Sequence, residues 1–274
     1  MRPPKATSEG KALEAVRDHR LLVISPHLDD SPLSAFGLMR AALAAGSPVE
    51  SVTVFTGVPD DGAPSHWDVK QGFSSSTEAM AARLDEDRHA MELVGVPSRH
   101  LGLPEELYRG ASDTAVVLDE AERLVRAVVA EHDGPTVLAI PAGLGEVPGW
   151  VRLRRHSLKL PLLRVRPGGL PHTDHVLLRT RLLALALELA PHVIVYEDLP
   201  YAWGGGYAGV VAHLRGEGRH ATREHVPVDL AAKVAAIECY RSQRPGFLPV
   251  WTDRLDQVFE DHEHVWWVSR PSAE

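Results

Sequence analysis

At 274 residues, 44% hydrophobic and 24% charged, the chain has the composition of an ordinary globular protein with room for a substantial core. Its formal charge of -8 lacks the basic excess expected of a general nucleic-acid or membrane-surface binder. A single cysteine, Cys239, rules out an internal disulfide framework and reads as a small core residue.

In chain order, residues 1–18 are polar, contain Lys, Arg and Pro, and read as an N-terminal extension to a single domain over 19–274. No basic-plus-apolar leader opens the chain, and no apolar run approaches the ~20 residues of a membrane span, so a cytoplasmic protein is expected. Leu21-Leu22-Val23-Ile24 is predicted to be a buried strand. Leu33, Phe36, Leu38, Met39, Ala42 and Leu43 then recur at helical spacing up to Gly46. Val52, Val54 and Phe55 mark a second strand, and residues 58–74 read as a loop. Ser75 and Glu78 form a candidate capping box for a helix running to Gly95.

A weak third strand covers 100–103, a helix 113–132, and a fourth strand 136–140, stopped by Pro141 and Gly143. A leucine-rich helix over about 174–190, a strand over 193–196, a helix near 229–243 and a strand around 265–268 follow. Strands alternating with helices predict an α/β fold, Rossmann-like, with a mostly parallel sheet and helices on both faces. The segment 142–171 breaks this rhythm and carries Arg152, Arg154, Arg155, His156, Lys159, Arg164 and Arg166. A connection that long is either a solvated excursion or a flap whose guanidinium groups contact anionic or hydroxyl-rich parts of a ligand.

Two clusters carry chemistry. Ser25-Pro26-His27-Leu28-Asp29-Asp30 follows the first strand, and His172-Thr173-Asp174-His175 lies beyond the fourth. In a parallel sheet both positions fall on the carboxyl edge, where such folds bind ligands. Taken alone, the first motif could be a helix cap with solvated carboxylates, and the second a pair of surface histidines. Together they offer His27, Asp29, Asp30, His172 and His175. Three of these suffice for a tetrahedral catalytic zinc, with a carboxylate and an imidazole left for proton transfer and charge stabilisation.

The arrangement resembles the zinc-dependent deacetylases of the GlcNAc-phosphatidylinositol de-N-acetylase family, also called LmbE-like. The resemblance rests on Pro26-His27-Leu28-Asp29-Asp30-Ser31, on His172-Thr173-Asp174-His175, on the helix from Arg83 to Gly95, and on Lys233 to Gln243, which ends in Tyr240-Arg241-Ser242-Gln243. It implies that His27, Asp30 and His175 bind Zn2+ and that Asp29 is the general base. His172 would meet the oxyanion as a charged imidazole or protonate the leaving amine, with Asp174 orienting it. The implied substrate is a small N-acylated amino sugar, as in glycopeptide antibiotics, with no nucleic-acid or membrane partner and with homo-oligomerisation possible. Leu28 and Ser31 depart from the proline and glutamate common in the family, and Ser31 weakens any transfer of substrate contacts. The alternatives are an amidase for glucosaminyl-inositol thiol conjugates and a metal-dependent binding domain without turnover.

Four further features are weaker. His262-Glu263-His264 reads as a solvated charged turn, with a metal clip as the alternative. Glu197 and Asp198, after the fifth strand, either shape a sugar pocket or are solvated caps. Gly204-Gly205-Gly206 lacks the lysine and the setting of a phosphate loop. His66 and Trp67 are candidates for a substrate wall.

Overall fold

A computed structural model describes residues 10–59, 62–110, 113–143, 172–204, 214, 219–247 and 254–269. Most of the basic segment expected over 142–171 therefore lies outside the described residues. A seven-stranded sheet runs in the order β3-β2-β1-β4-β5-β7-β6. Its strands are β1 (Arg20–Ser25), β2 (Val49–Phe55), β3 (Ser98–Leu103), β4 (Thr136–Pro141), β5 (His192–Tyr196), β6 (His220–Pro227) and β7 (His262–Ser269). The first five are mutually parallel; β7 runs antiparallel to β5, and β6 antiparallel to β7.

Nine α-helices among the described residues accompany the sheet: α1 (Lys11–Asp18), α2 (Asp30–Ser34), α3 (Phe36–Ala45), α4 (His66–Lys70), α5 (Ser76–Val94), α6 (Thr114–Ala130), α7 (Thr173–Leu189), α8 (Leu230–Ile237) and α9 (Arg244–Phe247). The run of apolar residues in β1 serves both faces, because alternate side chains of a strand point to opposite sides. Leu22 and Ile24 join a core with Val125 of α6 and Leu182 of α7. Leu21 and Val23 join another with Val16 of α1 and Met39 of α3. A third cluster, with Leu28, Leu33, Met80, Ile237 and Tyr240, lies where α2, α5 and the end of α8 meet.

Three expectations need correction. Residues 11–18 are not part of a polar extension: Ala12, Leu13, Ala15 and Val16 form a buried helical stripe. The first turn of α1 is capped across the sheet, as Glu224 of β6 accepts from the Ala12 amide at 2.8 Å. The loop expected over 58–74 contains α4, started by a reciprocal capping box between Ser65 and Asp68. The segment His262-Glu263-His264 is not a turn but the start of β7, with Glu263 buried and paired to Lys233 at 2.5 Å. The structure also contains β6, whose only buried side chain is Val226, so it shows no apolar alternation to read.

The strand order reverses between β1 and β4, which opens a crevice at their carboxyl ends. His27 to Asp30 leave β1 into this crevice, and the chain after β4 leads to α7. Gly143 permits the close approach there: its φ is 58°, and a Cβ would stand 2.9 Å from the His175 carbonyl oxygen.

Candidate metal centre

His27 Nδ1, His175 Nε2 and Asp30 Oδ2 converge. The two nitrogens are 3.2 Å apart, and Oδ2 lies 3.4 Å from His27 Nδ1 and 3.2 Å from His175 Nε2. Ligand atoms 2.0–2.1 Å from a tetrahedral zinc are about 3.3 Å from one another, so these three donors form one face of such a site. All three residues are buried. Asp30 is locked by the His27 amide, which donates to Oδ2 at 2.8 Å.

Each histidine is oriented by a fully buried carboxylate. His27 Nε2 meets Asp174 Oδ2 at 3.1 Å, and His175 Nδ1 meets Asp198 Oδ2 at 2.8 Å. Such outer partners set the ring orientation and the tautomer of metal-binding histidines. Asp174 is held in turn by the Arg109 guanidinium and by the Glu106 amide at 2.9 Å. Asp198 accepts from the Gly143 amide at 3.1 and 3.0 Å.

The electrostatics fit a divalent cation. Five carboxylates, Asp29, Asp30, Glu105, Asp174 and Asp198, line the site; Arg83 pairs with Glu105 and acts on Asp29, and Arg109 pairs with Asp174. Burial disfavours a charged ring at His27, but the Asp174 and Asp30 carboxylates outweigh it and push the imidazole up to about 10. Burial likewise opposes charge at His175, which Asp30 and Asp198 raise to about 9. Burial would raise Asp30, but His175 and His27 hold it far below the usual carboxylate range. Most of the excess negative charge is thus offset either by two extra protons on the histidines or by one divalent cation.

Asp29 faces the same cleft but ligates nothing in the triangle. Burial, and then the neighbouring Asp30 charge, push its carboxyl up to about 6, against the opposing pull of Arg83 and His27. His172 caps the N-terminus of α7, and its Nδ1 accepts from the Asp174 amide at 3.3 Å. In the neutral ring the proton is then on Nε2. Burial and the positive charges of His27 and His175 lower the pKa of His172 well below its ordinary value. That direction favours the neutral ring over the charged imidazole expected. The Asp174 carboxylate is hydrogen-bonded to His27, Arg109 and the Glu106 amide, so it orients His27; toward His172 it contributes its backbone amide and a through-space charge.

The cleft over the triangle measures about 320 Å³ and is walled by Leu33, Trp67, Leu107, Leu199 and Tyr201, with Arg83 and Gln243 as polar points. Trp67 is thus in the wall. Of the two acidic residues after β5, Asp198 is in the site, whereas Glu197 is turned to Arg223 and to Trp266 Nε1 at 2.9 Å. Sequence reasoning missed the partnerships of Asp198, Glu105 and Arg109; the placement of Asp198 at a strand end on the carboxyl edge was the available signal.

The helical and C-terminal motifs brace the site. Glu86 accepts from the Ser242 amide and hydroxyl at 2.9 and 2.6 Å. The Tyr240 hydroxyl sits between Asp87 Oδ1 at 2.8 Å and the Leu28 carbonyl at 3.0 Å. The segment after α8 therefore clamps the backbone between His27 and Asp29. Ser31 is buried and bonded to Ser51 at 2.9 Å.

Residues 22–149 match the model of the family described as GlcNAc-PI de-N-acetylase. This bears out the resemblance for the first motif and the Arg83–Gly95 helix; the match ends before His172. No curated protein sequence matches the chain. Among solved structures, the zinc-inhibited form of teicoplanin deacetylase aligns with a TM-score of 0.68 at 21% identity, over 93% of this chain and all 100% of that one. The deacetylase of the antimicrobial reagent A40926 pseudoaglycone aligns at 0.61 and 23% identity, over 93% and 99% of the two chains. The 4-carboxy-2-hydroxymuconate hydratase from Pseudomonas putida aligns at 0.52 and 16% identity, over 93% and 98%. Chemistry therefore has to be read from the site, because this fold carries more than one reaction.

Proposed function

We propose, with residues 22–149 carrying the pattern of the GlcNAc-PI de-N-acetylase family, that this chain is a zinc-dependent hydrolase removing an N-acetyl or N-acyl group from an amino sugar. The observation that carries the reading is the triangle of His27 Nδ1, His175 Nε2 and Asp30 Oδ2, flanked in one cleft by Asp29 and His172. Zinc held by these three residues would supply Lewis acidity toward water and toward the amide carbonyl.

The chain's own groups account for the remaining chemistry. Asp29 takes a proton from the attacking water at a carboxylate oxygen and returns it to the departing nitrogen, a dual role suited to a carboxyl raised to about 6. His172 aims Nε2–H at the oxygen that gains charge as the carbonyl carbon becomes tetrahedral. Asp174 and Asp198 hold the two ligating rings and move no proton. Trp67 and Tyr201 offer flat apolar faces to a sugar ring, and Gln243 a polar contact.

A glycosylated natural product is the preferred substrate class, supported by the fold shared with the teicoplanin and A40926 deacetylases. A cytoplasmic location and a small-molecule partner belong to the same reading; among the described residues no helix is long and apolar enough to cross a membrane. The test is metal analysis of purified protein together with a deacetylation assay over N-acetylglucosamine conjugates, including a glucosaminyl-inositol thiol conjugate. Bound zinc with amine release from a glycoside is expected, and Asp29→Asn should keep the metal while losing about 10²–10⁴-fold in turnover. Full metal loading without amide hydrolysis on any conjugate would overturn the reading.

A further inference from the structure

A second histidine cluster lies on the other half of the sheet and shares no residue with the first. The antiparallel register places His225 of β6 directly opposite His264 of β7, and His262 two positions away on the same face. The rings face one another, with centroids 4.4 Å apart for His225 and His264, 4.9 Å for His262 and His264, and 5.2 Å for His225 and His262. One nitrogen from each lies within 4.8 Å of the other two. His225 is exposed and its two partners are partly so, hence a solvent ion reaches the cluster without opening the core.

We infer that His225, His262 and His264 form a second site for a divalent transition-metal ion, with three imidazoles as ligands and water or Glu260 completing the set. Two histidines at i and i+2 on one strand and a third directly opposite give three nitrogen donors on one face, the ligand type that suits zinc, nickel and copper. Tetrahedral zinc needs donors about 3.3 Å apart, and side-chain rotation of the exposed rings closes the difference. The surroundings supply the outer support such ligands use. His262 Nδ1 is 3.0 Å from Asp261 Oδ1 and its Nε2 is 3.1 Å from Glu260 Oε2, so a carboxylate holds one ring nitrogen whichever nitrogen binds.

The position also gives the ion a structural task. Among the described residues β6 is an edge strand whose backbone ladder is with β7. A cation spanning both strands would cross-link that edge close to the carboxyl end of β5, where the Glu197 amide donates to the His264 carbonyl at 3.1 Å.

The experiment is a Zn2+ titration of chelator-stripped full-length protein, with thermal denaturation at each metal ratio. The wild type is expected to bind two equivalents, and the second to raise Tm further. The His225→Ala/His264→Ala double variant should bind one equivalent and lose the second Tm step, while His175→Ala should keep the step that the double variant loses. His225→Gln, at an exposed position, guards against misfolding: it should weaken the second equivalent at least tenfold with an unchanged circular dichroism spectrum. One equivalent in the wild type, two in the double variant, or an unaltered second affinity in His225→Gln would each overturn the proposal.

Discussion

Asp174 Oδ2 stands 3.1 Å from His27 Nε2 and joins the first turn of α7 to the loop leaving β1. Since α7 also carries His175, this contact sets the spacing of the two imidazoles that face each other across the metal triangle. Asp174→Asn should keep the fold and weaken zinc binding about 10–100-fold, the usual cost of losing a partner outside the ligand shell. Competition against a chromophoric chelator measures it. An unchanged affinity would show that Arg109, not His27, is the reason for this carboxylate.

Zinc uptake should release protons. His27 and His175 are pushed up to about 10 and 9 without metal, so the pair holds protons at pH 7 that must leave the ligating nitrogens on binding. Calorimetry in buffers of different ionisation enthalpy should give between one and two protons released per zinc at pH 7, with affinity rising as pH rises. Zero release would mean that the metal-free site is already deprotonated.

Asp29 should cost the metal-free protein stability at neutral pH. Its carboxyl is raised to about 6 in the fold, so the folded state holds this proton more tightly than the unfolded chain. That advantage is full below the unfolded value of about 4 and disappears as pH rises through about 6. Asp29→Asn should therefore stabilise chelator-stripped protein at pH 7.5 by on the order of 1–3 kcal/mol, seen as a higher Tm, with the gain shrinking toward pH 4. Combined with the turnover lost by the same variant, this is a stability–activity trade-off at one residue. A Tm at or below wild type at pH 7.5 would contradict it.

Tyr240→Phe removes the hydroxyl between Asp87 and the Leu28 carbonyl while preserving the ring in the third core cluster. The buried Asp87 keeps His100 as a partner at 2.8 Å, so the expected cost is about 1–3 kcal/mol and not loss of the fold. Turnover should fall with zinc content unchanged, because the freed backbone lies between His27 and Asp29. Chemical denaturation and metal analysis on the same preparation separate the two effects.

The chain determined a good deal by itself. The apolar β1 run, the αL glycines Gly46 and Gly95 that end α3 and α5, and the alternation of strand and helix all act through nearest neighbours and could be read directly. So could the placement of His27, Asp30 and His175 after strands, since strands of a parallel sheet end on one edge. The partnerships could not. Which carboxylate orients which imidazole, that Tyr240 clamps Leu28, that Glu224 caps α1, and that His225 meets His262 and His264 were decided only by tertiary structure. These contacts join residues distant in sequence, and hydrogen-bond and charge energies depend on separations of a few ångströms that only packing of the whole sheet sets.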